Sequence, residues 1–327
     1  MFAGHIPAPG QIELIDVPEP AWPPPADSGP AILFQPEIAC LCGSDLPYFE
    51  QSETRYPPTV GHSLHEIVGT VLATTGSRFS PGTRVLAVPV DQKGLFERFI
   101  VSESRAIALP AGVPEAQTLM AQPFGTVLYA LRRLPPVLGM TVAVVGQGPI
   151  GQLFNLALRN LGAASIIGID CDPRRTAHSR DFGATATICT SEVDAAAALR
   201  DLTEGRLADL VIEAVGHAHQ ALNLCIELVR PHGRLLVFGV PPATIDGVLW
   251  RDLFVKNVTV HTSVNPDFAI DFPLAMRWIA AGRIDVSGLL THRYPLAELQ
   301  AAFETFRDHE GGALKVLIEF PQSESAD

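Results

Sequence analysis

From Thr141 to Val264 the chain alternates short apolar runs, rich in β-branched residues, with alanine- and leucine-rich stretches of helical length. The runs are TVAVV (141–145), SIIGI (165–169), ATATI (184–188), DLVIEAV (209–215), GRLLVFGV (233–240) and VTVHTSV (258–264). Apolar strands separated by helices predict a parallel, doubly wound sheet, assigned to residues 122–265. Upstream the pattern changes. Strand-length runs at Ala31–Leu33, Glu66–Leu72, Arg84–Val88 and Phe96–Val101 are broken by many prolines and glycines, which predicts a compact β-rich domain. Beyond the sheet, helices are predicted over Asp271–Ala281 and Leu296–Arg307, and a last strand over Leu314–Phe320. That strand is expected to rejoin the first domain and make it discontinuous, residues 1–121 with 266–327.

A length of 327 residues exceeds the usual span of one core and agrees with two domains. The formal net charge of −12 argues against nonspecific attraction to nucleic acid or anionic lipid. The opening MFAGHIPAPGQIEL has neither the basic region nor the apolar core of a secretion signal, and no later run has membrane-spanning length. A cytoplasmic protein without membrane partners is therefore expected. Cys40, Cys42, Cys171, Cys189 and Cys225 are odd in number and scattered, which predicts reduced thiols rather than a disulfide framework.

The first apolar run of the sheet leads straight into Gly146, Gln147, Gly148, Pro149, Ile150 and Gly151. Strand, glycine-rich turn and helix in that order form a dinucleotide-binding site. Gly146 serves the tight turn, Gly148 lets backbone approach a pyrophosphate, and Gly151 allows close helix packing. The helix that follows points its positive end at the phosphates. The second run ends in Asp170, at the distance where a carboxylate binds the adenosine ribose hydroxyls. Its charge repels a 2′-phosphate and Asp172 adds another, so NAD(H) is expected over NADP(H). Arg174 and Arg175 stand near enough to reach a phosphate.

A second cluster is Cys42-Gly43-Ser44-Asp45, followed by His62, His65 and Glu66. Cysteine, histidine and glutamate are ligands that tetrahedral zinc accepts, and a catalytic zinc keeps one position open. Taken alone, these residues fit a core thiol and surface histidines better. A dinucleotide fold shifts the balance, because hydride transfer calls for a group that polarises a carbonyl.

With CGSD, HEIVGTV, GQGPIG, VIEAVG, FGVPP and GRIDVSGLLTHRYPL in that order, the chain resembles the zinc-dependent medium-chain dehydrogenase/reductase family over nearly its whole length. These are the alcohol and polyol dehydrogenases. The resemblance implies an α/β protein with a β-rich GroES-like catalytic domain and a Rossmann domain with a doubly wound parallel sheet. It implies one catalytic zinc held by Cys42, His65 and Glu66, with water completing the tetrahedron. Thiolate and carboxylate then balance the charge of the ion. Ser44 matches the hydroxyl that takes the substrate proton, and Asp45 the carboxylate that orients the zinc histidine. Thr126 falls against the nicotinamide, and the backbone from Phe238 to Val240 against its carboxamide. The implied reaction is NAD-linked, reversible oxidation of a secondary alcohol, polyol, sugar-like molecule or cyclitol, in a homodimer or homotetramer.

Three positions depart from the family pattern. Ser63, Leu64 and His65 separate Gly61-His62 from Glu66, so YPPTVGH points to His62 as the ligand and HEIVGTV to His65. The second register keeps the His-Glu pair and the strand after it. Gln122 stands where relatives carry an acid or a cysteine; a neutral amide ligates zinc poorly and is expected to bond the metal's water or face substrate. Pro47 replaces a histidine common in relatives, and proline carries no proton. Residues 85–125 contain no cysteine, which leaves no structural-zinc lobe. Tyr48, Phe49 and Tyr56 are candidates for the pocket wall, with core packing the equal alternative, and the loop at Asn265 is a further pocket element. Two rival readings stay open: a zinc-free reductase of quinones or activated alkenes, and a dinucleotide-binding protein without turnover.

Overall fold

The computed structural model describes residues 1–51, 60–216 and 219–321; Tyr56 lies outside them. In chain order, β1 (Phe2–Ala8) and β2 (Gln11–Asp16) form a hairpin. There follow β3 (Ala31–Cys40), α1 (Leu46–Glu50), β4 (Glu66–Thr74), β5 (Arg84–Ala87), β6 (Phe99–Ser102), β7 (Ala106–Ala108), α2 (Glu115–Leu119) and α3 (Ala121–Arg132). The middle of the chain runs β8 (Thr141–Val145), α4 (Pro149–Asn160), β9 (Ser165–Asp170), α5 (Pro173–His178), β10 (Ala186–Cys189), α6 (Ala195–Leu202) and β11 (Ala208–Glu213). It continues with α7 (His219–Leu228), β12 (Val229–Val237), α8 (Trp250–Val255) and β13 (Thr259–Thr262). The last part holds α9 (Asp271–Ala280), β14 (Leu290–Pro295), α10 (Leu299–Asp308) and β15 (Lys315–Glu319). Two compact units result, residues 1–123 with 268–327, and residues 124–267.

The first unit is built on a seven-stranded sheet in the order β14-β15-β3-β4-β5-β7, with β6 also on β3. Strand β3 is its organiser. It runs past Pro36 through a register shift, so its far end carries Cys40 opposite Glu66 on β4 and Leu317 on β15. Three strands distant in sequence thus converge at the point where β3 leads into Cys42. Phe34, Phe49, Ile67 and Phe303 fill the core, with the rings of Phe49 and Phe303 centred 5.0 Å apart. Phe49 is therefore a core residue and not a pocket wall.

The second unit is a six-stranded parallel sheet in the order β10-β9-β8-β11-β12-β13. Sequential strands run outward from β8 in one direction, then outward from β11 in the other. The reversal opens a crevice at the carboxyl ends of β8 and β11, where doubly wound sheets bind ligands. Ile167, Val211 and Leu235 are buried because helices cover both sheet faces. No helix among the described residues is long and apolar enough to cross a membrane.

Candidate active site

Asp45, fully buried, joins the two turns that carry the candidate residues of the first unit. Its Oδ2 accepts the Cys42 N–H at 2.7 Å and its Oδ1 the Leu64 N–H at 3.0 Å. His65 Nδ1 stands 4.0 Å from Oδ1, beyond hydrogen-bond range. Asp45 thus acts on the turn that carries His65 through the Leu64 N–H. The turn before β4 is held in an uncommon shape, with φ of 103° at Ser63 and 67° at Leu64. Left-handed backbone at such residues costs about 1–2 kcal/mol each. Bonds from Ser63 N–H to the Gln92 carbonyl (2.8 Å) and from Gly94 N–H to the Ser63 carbonyl (3.1 Å) help to hold it.

That turn brings together one donor atom each from Cys42, His65 and Glu66, all within 4.8 Å of one another. His62 is outside the group. It is buried, both ring nitrogens lack a partner among the described residues, and its ring centre lies 3.7 Å from that of Tyr48. Burial, with the Lys93 charge adding to it, holds the His62 pKa below the usual imidazole value. Gln122 is buried near the start of α3, and Thr126, one turn further on, is half-buried in mid-helix.

Lys315 is the residue that sequence reasoning missed. Its ammonium donates to both Glu66 oxygens, at 2.7 and 2.6 Å, and to the Leu41 carbonyl at 3.1 Å, all in the protein interior. Burial pushes the Glu66 carboxyl up, to about 8, against the pull of Lys315. Burial also disfavours charge on Lys315, yet the Glu66 carboxylate and the Cys40 and Cys42 thiols outweigh it and raise its pKa. The two-pronged geometry makes this a carboxylate–ammonium pair. A signal was present: a lysine within an apolar strand needs a countercharge. The expected charge balance changes with it, since thiolate and carboxylate neutralise zinc only when Lys315 is left out. With Lys315 included, a cluster holding zinc would carry one net positive charge.

The donor set fits zinc. Thiolate, imidazole and carboxylate are its ligands, and bond lengths of 2.0–2.3 Å separate tetrahedral donors by about 3.3–3.8 Å. Each Glu66 oxygen keeps a lone pair beyond the one that Lys315 uses. Ser44 Oγ and His65 Nδ1 are buried without a partner among the described residues, as groups awaiting a ligand would be.

In the second unit, Gly146 turns out of β8 with φ of 96°. A Cβ on Gly151 would lie 1.8 Å from the Gly146 carbonyl oxygen, so only glycine lets α4 pack against the turn. Gly148 caps α4, whose first residues are Pro149 and Ile150, and the space beside Gly148 is open. Below the turn, Asn155 donates to Gln147 and Gln152, and Gln152 donates to Ser179, in a buried network. Asp170 accepts the N–H of Gln147 at 2.7 Å and of Asp172 at 2.9 Å, with Arg175 at 3.8 Å. Arg174 pairs instead with Asp172. Phe238 meets Phe154 edge-on at 5.0 Å, and Val240 is exposed.

Fold and site together define a dinucleotide-binding protein of the oxidoreductase type, with a β-rich unit that brings together a cysteine, a histidine and a glutamate able to hold a metal ion. The family model for zinc-binding dehydrogenase matches residues 149–281. The chain is 26% identical to L-threonine 3-dehydrogenase of Bacillus licheniformis, covering 88% of this chain and 91% of that one. It is 27% identical to sorbitol dehydrogenase of Rattus norvegicus, over 95% and 93%. The solved structure of an alcohol dehydrogenase from Thermus sp. ATN1 superposes with a TM-score of 0.83 at 25% identity, over 98% of this chain and 100% of that one. Over most of its length the chain is thus similar to zinc-type dehydrogenases, and residues 149–281 match their family model.

Proposed function

We propose that this protein is a zinc-dependent, NAD(H)-linked dehydrogenase that interconverts a secondary alcohol of the polyol or sugar-like class and its carbonyl. The cluster of Cys42, His65 and Glu66 carries the reading, because a zinc-free reductase has no use for it. Two relatives bear the names of L-threonine and sorbitol, and both molecules have secondary hydroxyls. Zinc held by these three residues supplies a Lewis acid for the substrate oxygen. Ser44 offers its unpartnered hydroxyl to the alcohol proton, and Asp45 keeps the two turns in register. Gln122 faces the substrate. The turn from Gly146 to Gly151 takes the diphosphate, Asp170 the ribose hydroxyls, and Thr126 with the Phe238–Val240 backbone the nicotinamide.

Turnover with polyols and amino alcohols tests this directly. NADH formation is expected with NAD+, to be lost on chelation and regained with zinc, and to be at least about tenfold slower with NADP+ because Asp170 opposes its extra phosphate. Chelator-resistant turnover would favour the zinc-free reductase. NADH binding without turnover on any substrate would favour the non-catalytic protein.

The same reading includes a cytoplasmic homodimer or homotetramer joined through β13. Among the described residues this strand pairs on one side only, and Val260 is 44% exposed on it while Trp250 and Phe254 of α8 are 70% and 78% exposed. Val260→Asp is expected to reduce the mass measured by sedimentation toward that of a single chain. An unchanged oligomer would place the contact elsewhere.

A further inference from the structure

Glu213, the last residue of β11, is buried at 4% exposure and ends beside the crevice where the sheet order reverses. Its Oε1 accepts the N–H of Val215 at 2.8 Å and of Gly216 at 2.9 Å, in the loop after β11. Its Oε2 accepts the Gly239 N–H at 3.1 Å, in the loop after β12. The Glu213 carbonyl takes the Phe238 N–H at 3.0 Å and shares that of Gly239 at 3.2 Å. One residue thus holds two loops edge to edge. The approach is close: a Cβ on Gly239 would lie 2.2 Å from Gly216 N and 2.8 Å from Glu213 Oε2. The β11 loop also abuts the glycine turn, where a Cβ on Gly146 would lie 2.8 Å from the Ala214 carbonyl oxygen.

A dinucleotide lying across this crevice has its adenosine half at Asp170 and its diphosphate at the glycine turn. The far half then falls to the loops after β11 and β12. Those loops present backbone groups, and backbone presents them in a fixed direction only if something holds the loops. A carboxylate acceptor with three N–H donors is suited to that task, because each bond is charge-assisted and the acceptor itself is buried.

We propose that Glu213 is the positioning residue for the nicotinamide end of the cofactor, acting by tying the β11 and β12 loops together. This rests on the cofactor reading given above. In Glu213→Gln one carboxylate oxygen becomes an amide nitrogen, which cannot accept, so one loop is released. The adenosine and diphosphate contacts lie elsewhere and stay.

NADH and ADP-ribose, which lacks only the nicotinamide, are the probes, each measured by calorimetry on the full chain. For Glu213→Gln, NADH is expected to bind about tenfold more weakly, as one lost charge-assisted bond predicts, with ADP-ribose changed less than about twofold. The fluorescence change of bound NADH should shrink with it. Gly239→Ala, which forces the loops apart with the carboxylate intact, should give the same selective loss and serves if the first variant does not fold. Equal weakening of both ligands, or of neither, overturns the role of Glu213. If the native chain itself binds NADH no more tightly than ADP-ribose, the placement of the nicotinamide fails, and the proposal with it.

Discussion

Cys42→Ala, purified without added metal, is expected to retain less than about a tenth of the zinc that the native chain carries at one ion per chain. Only three protein donors converge here among the described residues, and the thiolate is the one that brings both softness and negative charge. With it gone, an imidazole and a carboxylate already engaged by Lys315 are left. Oxidation of the substrate alcohol should fall by about a thousandfold, the scale of several kcal/mol that a Lewis acid contributes. NADH binding should be unchanged, since Gly146, Gly148, Gly151 and Asp170 lie in the other unit. Elemental analysis with NADH titration checks each part. A variant that keeps its zinc removes Cys42 from the ligand set, and a native chain that turns over without zinc overturns the mechanism.

Lys315→Met should be the most destabilising single change at this site. It leaves the Glu66 carboxylate buried without a countercharge and the Leu41 carbonyl without its donor. Breaking one side of a buried pair costs about 3–5 kcal/mol. For a unit of this size that lowers the melting temperature by about 10 °C. Zinc should restore part of the loss, because the ion takes over the neutralising of Glu66. The difference between chelated and zinc-loaded protein is thus expected to be larger in the variant than in the native chain. If chelated Lys315→Met melts like the native chain, Glu66 is buried as the neutral acid, as burial alone would have it, and the net positive charge assigned to the cluster is absent.

The parallel sheet was legible because its strands are buried on both faces and so read as apolar runs, of which TVAVV coincides with β8 residue for residue. Strands of the first unit were harder to see. Those with one wet face mix polar and apolar positions, and proline interrupts several. β3 was predicted only as far as Leu33, because Gln35 and Pro36 hide its continuation through the register shift. The hairpin β1–β2 went unpredicted, with Pro7 beside its own register shift. β14 alternates half-buried and exposed residues around a histidine and an arginine, and carried no apolar signal.

At the candidate metal site the sequence supplied two histidines, and the fold brings one of them to Cys42 and Glu66. Two registers for the histidine were open on spacing alone. The left-handed turn at Ser63 and Leu64 brings His65 to Cys42 and Glu66 and leaves His62 packed on Tyr48. Nothing local specifies that turn. It is held by Asp45 and by the backbone around Gln92 and Gly94.

What the sequence determined by itself are features whose cause is local: strand and helix periodicity, the glycines demanded by a tight turn and a close helix, and a carboxylate at the end of the second strand of the sheet. What only the tertiary structure decided are contacts between residues far apart in the chain. Lys315 meets Glu66 across 249 positions, and Glu213 meets Gly239 across 26. A buried charge announces that it needs a partner, but which partner it finds is settled by strand order and register, and these emerge only when the whole chain has packed.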